Sequence, residues 1–110
     1  LHKKAFENSY TAVFLYDGET LIGLGRAISD GAYEAAIYDI AVAPDYQGRG
    51  LGRTILETLL ADLKGFNAIL FAAPGKVPFY GRLGFRKMRT GMACFTSAEM
   101  AETISDAVDI

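Results

Sequence analysis

The 110-residue sequence predicts one α/β domain: a single mixed, mostly antiparallel sheet with helices packed on it. Three observations lead there. "YTAVFLYDGETLIGLGRAI" reads as two strands around Asp17-Gly18, the strongest hairpin signal in the chain. "EAAIYDIAVAP" is a third strand, stopped by Pro44. From there the pattern alternates helix, strand, helix, strand, and a strand–helix–strand crossover brings parallel pairing into the sheet.

The elements follow in order. "LHKKAFENS" is the end of a helix closed by Asn8-Ser9. In the hairpin Val13 and Leu15 alternate with Phe14 and Tyr16, and Leu21, Gly23 and Gly25 alternate with Ile22 and Leu24, so both faces of these strands are expected to be partly covered. "SDGAY" is a second turn. From Arg53 onward Ile55, Leu56, Leu59, Leu60 and Leu63 form an apolar stripe at spacings of three and four, a helix ended by Lys64-Gly65. "AILFAAP" is a wholly apolar strand of the kind buried inside a sheet. "GKVPFYGRLGF" holds a short helix from Val77 to Leu83 with Gly84 as terminator. "FRKMRTGMACF" reads as a last strand or bent pair of strands. "TSAEMAETISDAV" reads as a closing helix with Thr96 and Glu99 spaced as a capping box.

Composition narrows the function. Half the residues are apolar (51%), 22% are charged, and the formal net charge is −2, so no bulk basic field invites nucleic acid. The cations cluster instead, in Arg49, Arg53, Lys76, Arg82, Arg86, Lys87 and Arg89, which suits a local anionic ligand. Cys94, the single cysteine, cannot form an internal disulfide, so the expected location is the reducing cytoplasm. No apolar run approaches the roughly 18 residues that span a bilayer, and no membrane partner is expected. The sequence opens on Leu1 rather than methionine, which is consistent with missing upstream sequence.

The segment "PDYQGRGLGRTILETLL" poses the functional question. Gly48, Gly50 and Gly52 stand before and inside a sound helix, where each interior glycine costs about 0.5–1 kcal/mol relative to alanine. The first-turn N–H groups of a helix lack intrahelical partners, and its N-terminus carries about half a positive charge. Together these form an anion site, which glycines open to a bulky group and Arg49 and Arg53 supplement with charge-assisted hydrogen bonds. The ligand is most simply a phosphate or pyrophosphate. A P-loop needs Gly-Lys followed by Ser or Thr, which is absent, and a dinucleotide fingerprint needs a glycine where this chain has Arg53 or Ile55.

What remains, Gln47-Gly48-Arg49-Gly50-Leu51-Gly52 after Ile40-Ala41-Val42-Ala43-Pro44, resembles the acetyl-coenzyme-A motif of the GNAT superfamily of N-acetyltransferases. A second block, "FYGRLGFRKM", resembles that family's Phe-Tyr-x-x-Leu-Gly-Phe signature, in the family's order and spacing. The resemblance covers about Tyr10 to Phe95, as a single domain over residues 1–110 in which the family's first strand and helix are expected to be mostly absent. The two blocks are especially similar to those of bacterial and plastid members, some of them acting on arylalkylamines.

The resemblance implies a V-shaped splay between two central parallel strands. Backbone groups of Ile40, Ala41 and Val42 would bind the pantetheine arm, and the amides of Gln47, Gly48, Arg49, Gly50, Leu51 and Gly52, with Arg53, the pyrophosphate. It also implies acetyl-CoA as co-substrate, no metal, and transfer to a primary amine by direct attack in a ternary complex. Tyr80 matches the tyrosine that protonates the departing thiolate, while Phe79, Leu83 and Phe85 are assigned to the core. Freeing a lysine-like amine of its proton at neutral pH spans about 3.4 units, or about 4–5 kcal/mol, so a general base is expected. Some members place a glutamate where this chain has Ala36. The substitutes are Glu34, on the face of Ala36 and Tyr38 by alternation, and Asp39, expected on the other face; the alternative role for Asp39 is to pair with a neighbouring arginine or hold the strand. Ala73 stands where many members carry Asn or Asp.

His2 and Lys76 are assigned no firm role, Cys94 reads as a small buried hydrophobe, and Phe14, Tyr33 and Tyr38 are shared between an acceptor pocket and the core. A small amine or arylalkylamine is the favoured acceptor, with a protein lysine or N-terminus as the alternative. A non-catalytic CoA-binding module and a generic nucleotide-phosphate binder are the rival classes. A homodimer is among the expected assemblies, since family members often dimerise.

Overall fold

Two apolar-rich strands meeting at a two-residue turn form the first hairpin. β1 (Thr11–Asp17) and β2 (Thr20–Ser29) pair antiparallel, with Asp17 opposite Thr20, so the turn residues are Gly18 and Glu19. β2 pairs antiparallel with β3 (Glu34–Val42), and β3 pairs parallel with β4 (Asn67–Ile69), giving a four-stranded sheet in the order β1-β2-β3-β4. α1 (His2–Glu7) precedes the sheet, and α2 (Leu51–Asp62) makes the crossover from β3 to β4. α3 (Val77–Arg82) and α4 (Ala98–Ile104) follow. The computed structural model describes residues 1–104. It consists of two compact units, Leu1–Ala72 and the remainder from Ala73.

The core of the first unit lies between the sheet and α2. Ile55, Leu56 and Leu59 are fully buried, and with Leu63 they meet Val13, Ala27, Ala35 and Ile37 of the strands. Burying one such side chain contributes roughly 1.5–3 kcal/mol. The helix sits unusually close because β2 offers no side chain beneath it. A Cβ on Gly25 would lie 2.7 Å from Ile55 Cγ2, and one on Gly23 would lie 3.1 Å from Ile55 Cδ1. Thr11 Oγ1 also donates to Asp62 at 2.6 Å, tying the start of β1 to the end of α2.

Alternation along β3 is broken once. Leu24 pairs with Ala41 and Arg26 with Tyr38, so Gly25 faces both Asp39 and Ile40 across a β-bulge. The extra residue lets Ile37 and Ile40 lie on the α2 face although they are three apart: Ile37 is 3% exposed, and Ile40 lies beside Gly25 and Ile55.

The fourth strand departs from expectation. The apolar run 68–74 gives only the short β4, in which Ile69 is 39% exposed, and Phe71 beyond it is 62% exposed. Pairing with β3 ends at Ala36 opposite Ile69, while β3 runs on to Val42. The parallel strands therefore splay, as the resemblance implied.

In the second unit, Tyr80 is half-buried on α3 between Phe79 and Phe85, with ring centroids 5.0 and 5.8 Å away. The helix ends at Leu83, and Gly84 has a φ of 94°. No strand forms over 85–95: Arg86, Lys87, Arg89 and Gly91 are poor sheet formers, and only Phe85 and Phe95 are half-buried there. Cys94 is exposed rather than buried. α4 is capped by Ser97, whose Oγ accepts from the Met100 amide at 3.1 Å, one residue later than the expected Thr96 cap. The expected continuation of this helix to residue 108 lies outside the described residues.

Substituting Gly25→Ala is expected to destabilise the protein by about 1–3 kcal/mol, because the fully buried Ile55 has nowhere to go. Urea titration reads this as a lower midpoint at unchanged slope. An unchanged midpoint contradicts the close seating of α2 on β2.

Candidate functional site

Between β3 and α2 the chain turns through a 3₁₀ turn (Pro44–Tyr46) and the glycine segment. Gly48 and Gly50 adopt φ of 78° and 80°, a region in which side-chain-bearing residues are strained by roughly 1–2 kcal/mol. Gly50 is the N-cap of α2 and supplies no side-chain cap, although a Ser, Thr, Asp or Asn there would satisfy a first-turn donor. No acidic residue occupies the first turn. Among the described residues, nothing accepts a hydrogen bond from the amides of residues 48–53, whereas the next amide, that of Thr54, donates to Gly50 O at 3.1 Å. The helix thus begins as an uncapped, positively polarised row of donors.

Side chains hold the loop while these donors stay open. Tyr46 donates to the Asp17 carboxylate in the β1–β2 hairpin. That hydrogen bond raises the Tyr46 phenol above its ordinary value of 10.0. Gln47 Nε2 donates to Val42 O at 2.9 Å, and Arg49 donates to Asp45 O at 3.1 Å with its guanidinium 5.0 Å over the Tyr46 ring. Arg53 bonds Glu57 at 2.6 Å, an exposed pair four residues apart. Such pairs are worth roughly 0.3–0.5 kcal/mol, so a doubly charged phosphate ligand competes readily for this arginine. Tyr46 and Asp17 were not among the sequence candidates, and only the position of Tyr46 beside the motif hinted at it.

Ile40, Ala41 and Val42 form the end of β3, beyond its last pair with β4. Ala43 N donates to Ile22 O at 2.8 Å, so by ladder alternation the backbone groups of Val42 face the opening. Its carbonyl is taken by Gln47, which leaves the N–H.

The two candidate carboxylates lie apart. Glu34 starts β3, accepts from Asn67 Nδ2 at 3.3 Å, and lines an open hollow of about 300 Å³ with Ile28, Ala36 and Ile69. Asp39 does not take the face that strict alternation assigns it. It sits in the bulge at a φ of 61°, and its carboxylate accepts from Arg26 Nε at 2.7 Å, on the face shared by Arg26 and Tyr38. Arg26 is a partner that the sequence pattern alone does not single out; its signal is the one charged residue in β2. Tyr80 belongs to the second unit, where burial raises its phenol above 10.0. Lys76, the N-cap of α3, is exposed, as are Phe14 and Tyr33, while Tyr38 is half-buried beneath Arg26.

A mixed sheet whose parallel strands part beside a glycine-led, uncapped helix defines the acyl-CoA N-acyltransferase fold. The chain belongs to the acetyltransferase (GNAT) family, whose family model matches residues 2–85. A serotonin N-acetyltransferase of rice (Oryza sativa subsp. japonica), a chloroplastic protein, is 39% identical over 90 residues, which cover 76% of this chain and 45% of the relative. A soybean (Glycine max) histone acetyltransferase is also 39% identical, over 95 residues, covering 74% of this chain and 38% of the relative. A GNAT-family acetyltransferase structure from Streptococcus pneumoniae superimposes with a TM-score of 0.78 at 27% identity, covering 86% of this chain and 76% of that one. The chain spans about half the length of the curated relatives it matches.

In Gly50→Ala the free loop is expected to relax out of positive φ, so that restoring it on binding raises the dissociation constant for CoA about 5- to 30-fold, the ratio that about 1–2 kcal/mol of backbone strain gives. A Cβ there meets nothing within 4 Å, so the effect comes from the backbone alone. Isothermal titration showing equal affinity for glycine and alanine contradicts the amide cradle.

Proposed function

We propose that this chain is an N-acetyltransferase that moves the acetyl group of acetyl-CoA to a primary amine, preferably a small amine or arylalkylamine, by direct attack in a ternary complex. The open row of amides at residues 48–53 beside the unpaired end of β3 carries this reading, and family membership supports it. In it the amides and Arg53 bind the diphosphate, and the edge of residues 40–42 aligns the pantetheine arm as an added strand would be aligned. The amine nitrogen attacks the thioester carbonyl, the C–N bond forms, and the C–S bond breaks. The proton lost by the amine passes to Glu34 through solvent, and Tyr80 protonates the departing thiolate. Glu34 is preferred over Asp39 because it lines a hollow with Ala36, whereas the Asp39 carboxylate is engaged by Arg26.

The acceptor preference is supported by the rice relative, whose name specifies serotonin, itself an arylalkylamine. The soybean relative, equally similar, supports a protein lysine as the second reading.

Release of free thiol from acetyl-CoA over a panel of amines tests the proposal. Turnover is expected with arylalkylamines or small amines and to exceed that with histone-tail peptides. Tight CoA binding without turnover on any amine points instead to a non-catalytic CoA module, and retention of ATP with indifference to CoA to a general phosphate binder. Tyr80→Phe is expected to lower kcat about 100-fold. Because burial raises the phenol above 10.0, Tyr80 keeps its proton through neutral and mildly alkaline pH. No alkaline loss of kcat assignable to this donor is therefore expected below about pH 9.5. An unaltered kcat in the phenylalanine variant removes Tyr80 from the mechanism.

A further inference from the structure

Among the described residues, Asp39 is the only non-glycine residue with a positive φ, at 61°. It occupies the bulge at which β3 changes its alternation, opposite Gly25, and just before the edge of residues 40–42. Its carboxylate holds Arg26 of the neighbouring strand at 2.7 Å. Arg26 is itself enclosed: its side chain is 16% exposed, with its guanidinium 5.8 Å from the Phe6 ring centroid and 5.3 Å from that of Tyr38. A cation so covered by rings requires a close anion, and a carboxylate reaches it only if the backbone at residue 39 turns out of the extended conformation. The strain and the ion pair are two sides of one arrangement.

We infer that Arg26 and Asp39 are positioning residues, whose ion pair locks the β3 bulge and so sets the height and direction at which residues 40–42 meet the acyl donor. The inference rests on the donor site proposed above. It assigns Asp39 no part in proton transfer. The clamp also explains how Ile40 reaches the α2 face beside Ile55 while the strand edge ahead of it stays clear of β4. α1 takes part indirectly, since Phe6 covers Arg26 and packs against Phe14 with ring centroids 5.4 Å apart at a tilt of 40°.

Three variants separate the possibilities. Asp39→Gly keeps the positive φ without strain but removes the carboxylate. Asp39→Asn tolerates the same backbone and keeps one oxygen for Arg26. Arg26→Lys keeps the charge but loses the planar stacking group. Expected for Asp39→Gly and Arg26→Lys are a 5- to 20-fold weaker CoA affinity by isothermal titration and faster amide hydrogen exchange at residues 40–42. Their kcat should move far less than KM for acetyl-CoA, and Asp39→Asn should recover part of the affinity. A folded Asp39→Gly with unchanged CoA affinity and unchanged exchange at residues 40–42 overturns the inference. So does a hundredfold fall in kcat at constant affinity, the signature of a general base. Should the unsubstituted chain bind no CoA, the donor-site reading itself fails. Faster exchange at residues 40–42 in the variants then still upholds the bulge clamp, and unchanged exchange removes it.

Discussion

Ile55 lies fully buried over the bare backbone of Gly23 and Gly25, and that contact sets where everything at the candidate site begins. With no side chain between them, α2 presses directly on β2, and its axis is pinned along the stripe of Ile55, Leu56, Leu59 and Leu63. Its N-terminus is thereby carried to the end of β3. The glycine N-cap costs a few tenths of a kcal/mol relative to a side-chain cap, and Gly52 inside the first turn about 0.5–1 kcal/mol. Each buried residue of the stripe contributes roughly 1.5–3 kcal/mol, so packing outweighs both. The helix can start poorly because it is held well further along.

What the poor start leaves is a set of donors with fixed directions and no acceptor among the described residues. The surrounding side chains keep the loop in shape without filling it: Tyr46 reaches back to Asp17, Gln47 to Val42, and Arg49 folds over Tyr46. A loop ordered before its ligand arrives loses little entropy on binding, which is how preorganisation raises affinity. The bulge at Asp39 acts on the neighbouring element in the same sense, fixing the strand end by a side-chain pair rather than by a ladder partner.

Much of this was legible in the residues. The hairpin, α2 and the glycine loop carry strong local signals: a turn dipeptide, a helical apolar stripe, and glycines where positive φ is needed. Family membership followed from two motif blocks in order. The failures were of another kind. Nothing in "IYDIAV" marks Asp39 as a bulge, because its apolar alternation reads as continuous and the arginine that bends it lies on another strand. The run "AILFAAP" reads as a full buried strand, yet hydrophobicity cannot say where a ladder ends, and pairing stops at Ile69. Residues 85–95 read as a last strand only by their position in the order of elements: Phe85, Met88 and Met92 are spaced by three and four, and Lys87 with Gly91 weakens the case further. Ser97 and Thr96 are equivalent as sequence signals, so the cap was missed by one residue.

The central claim is that the main-chain amides of residues 48–53 are open to receive a diphosphate. Titrating the isotopically labelled protein with CoA, and following backbone amide resonances, addresses those groups one by one. The account predicts large downfield shifts at residues 48–53, accompanied by shifts at residues 40–42, with the hairpin amides barely moved. Saturable CoA binding that leaves those resonances in place contradicts it.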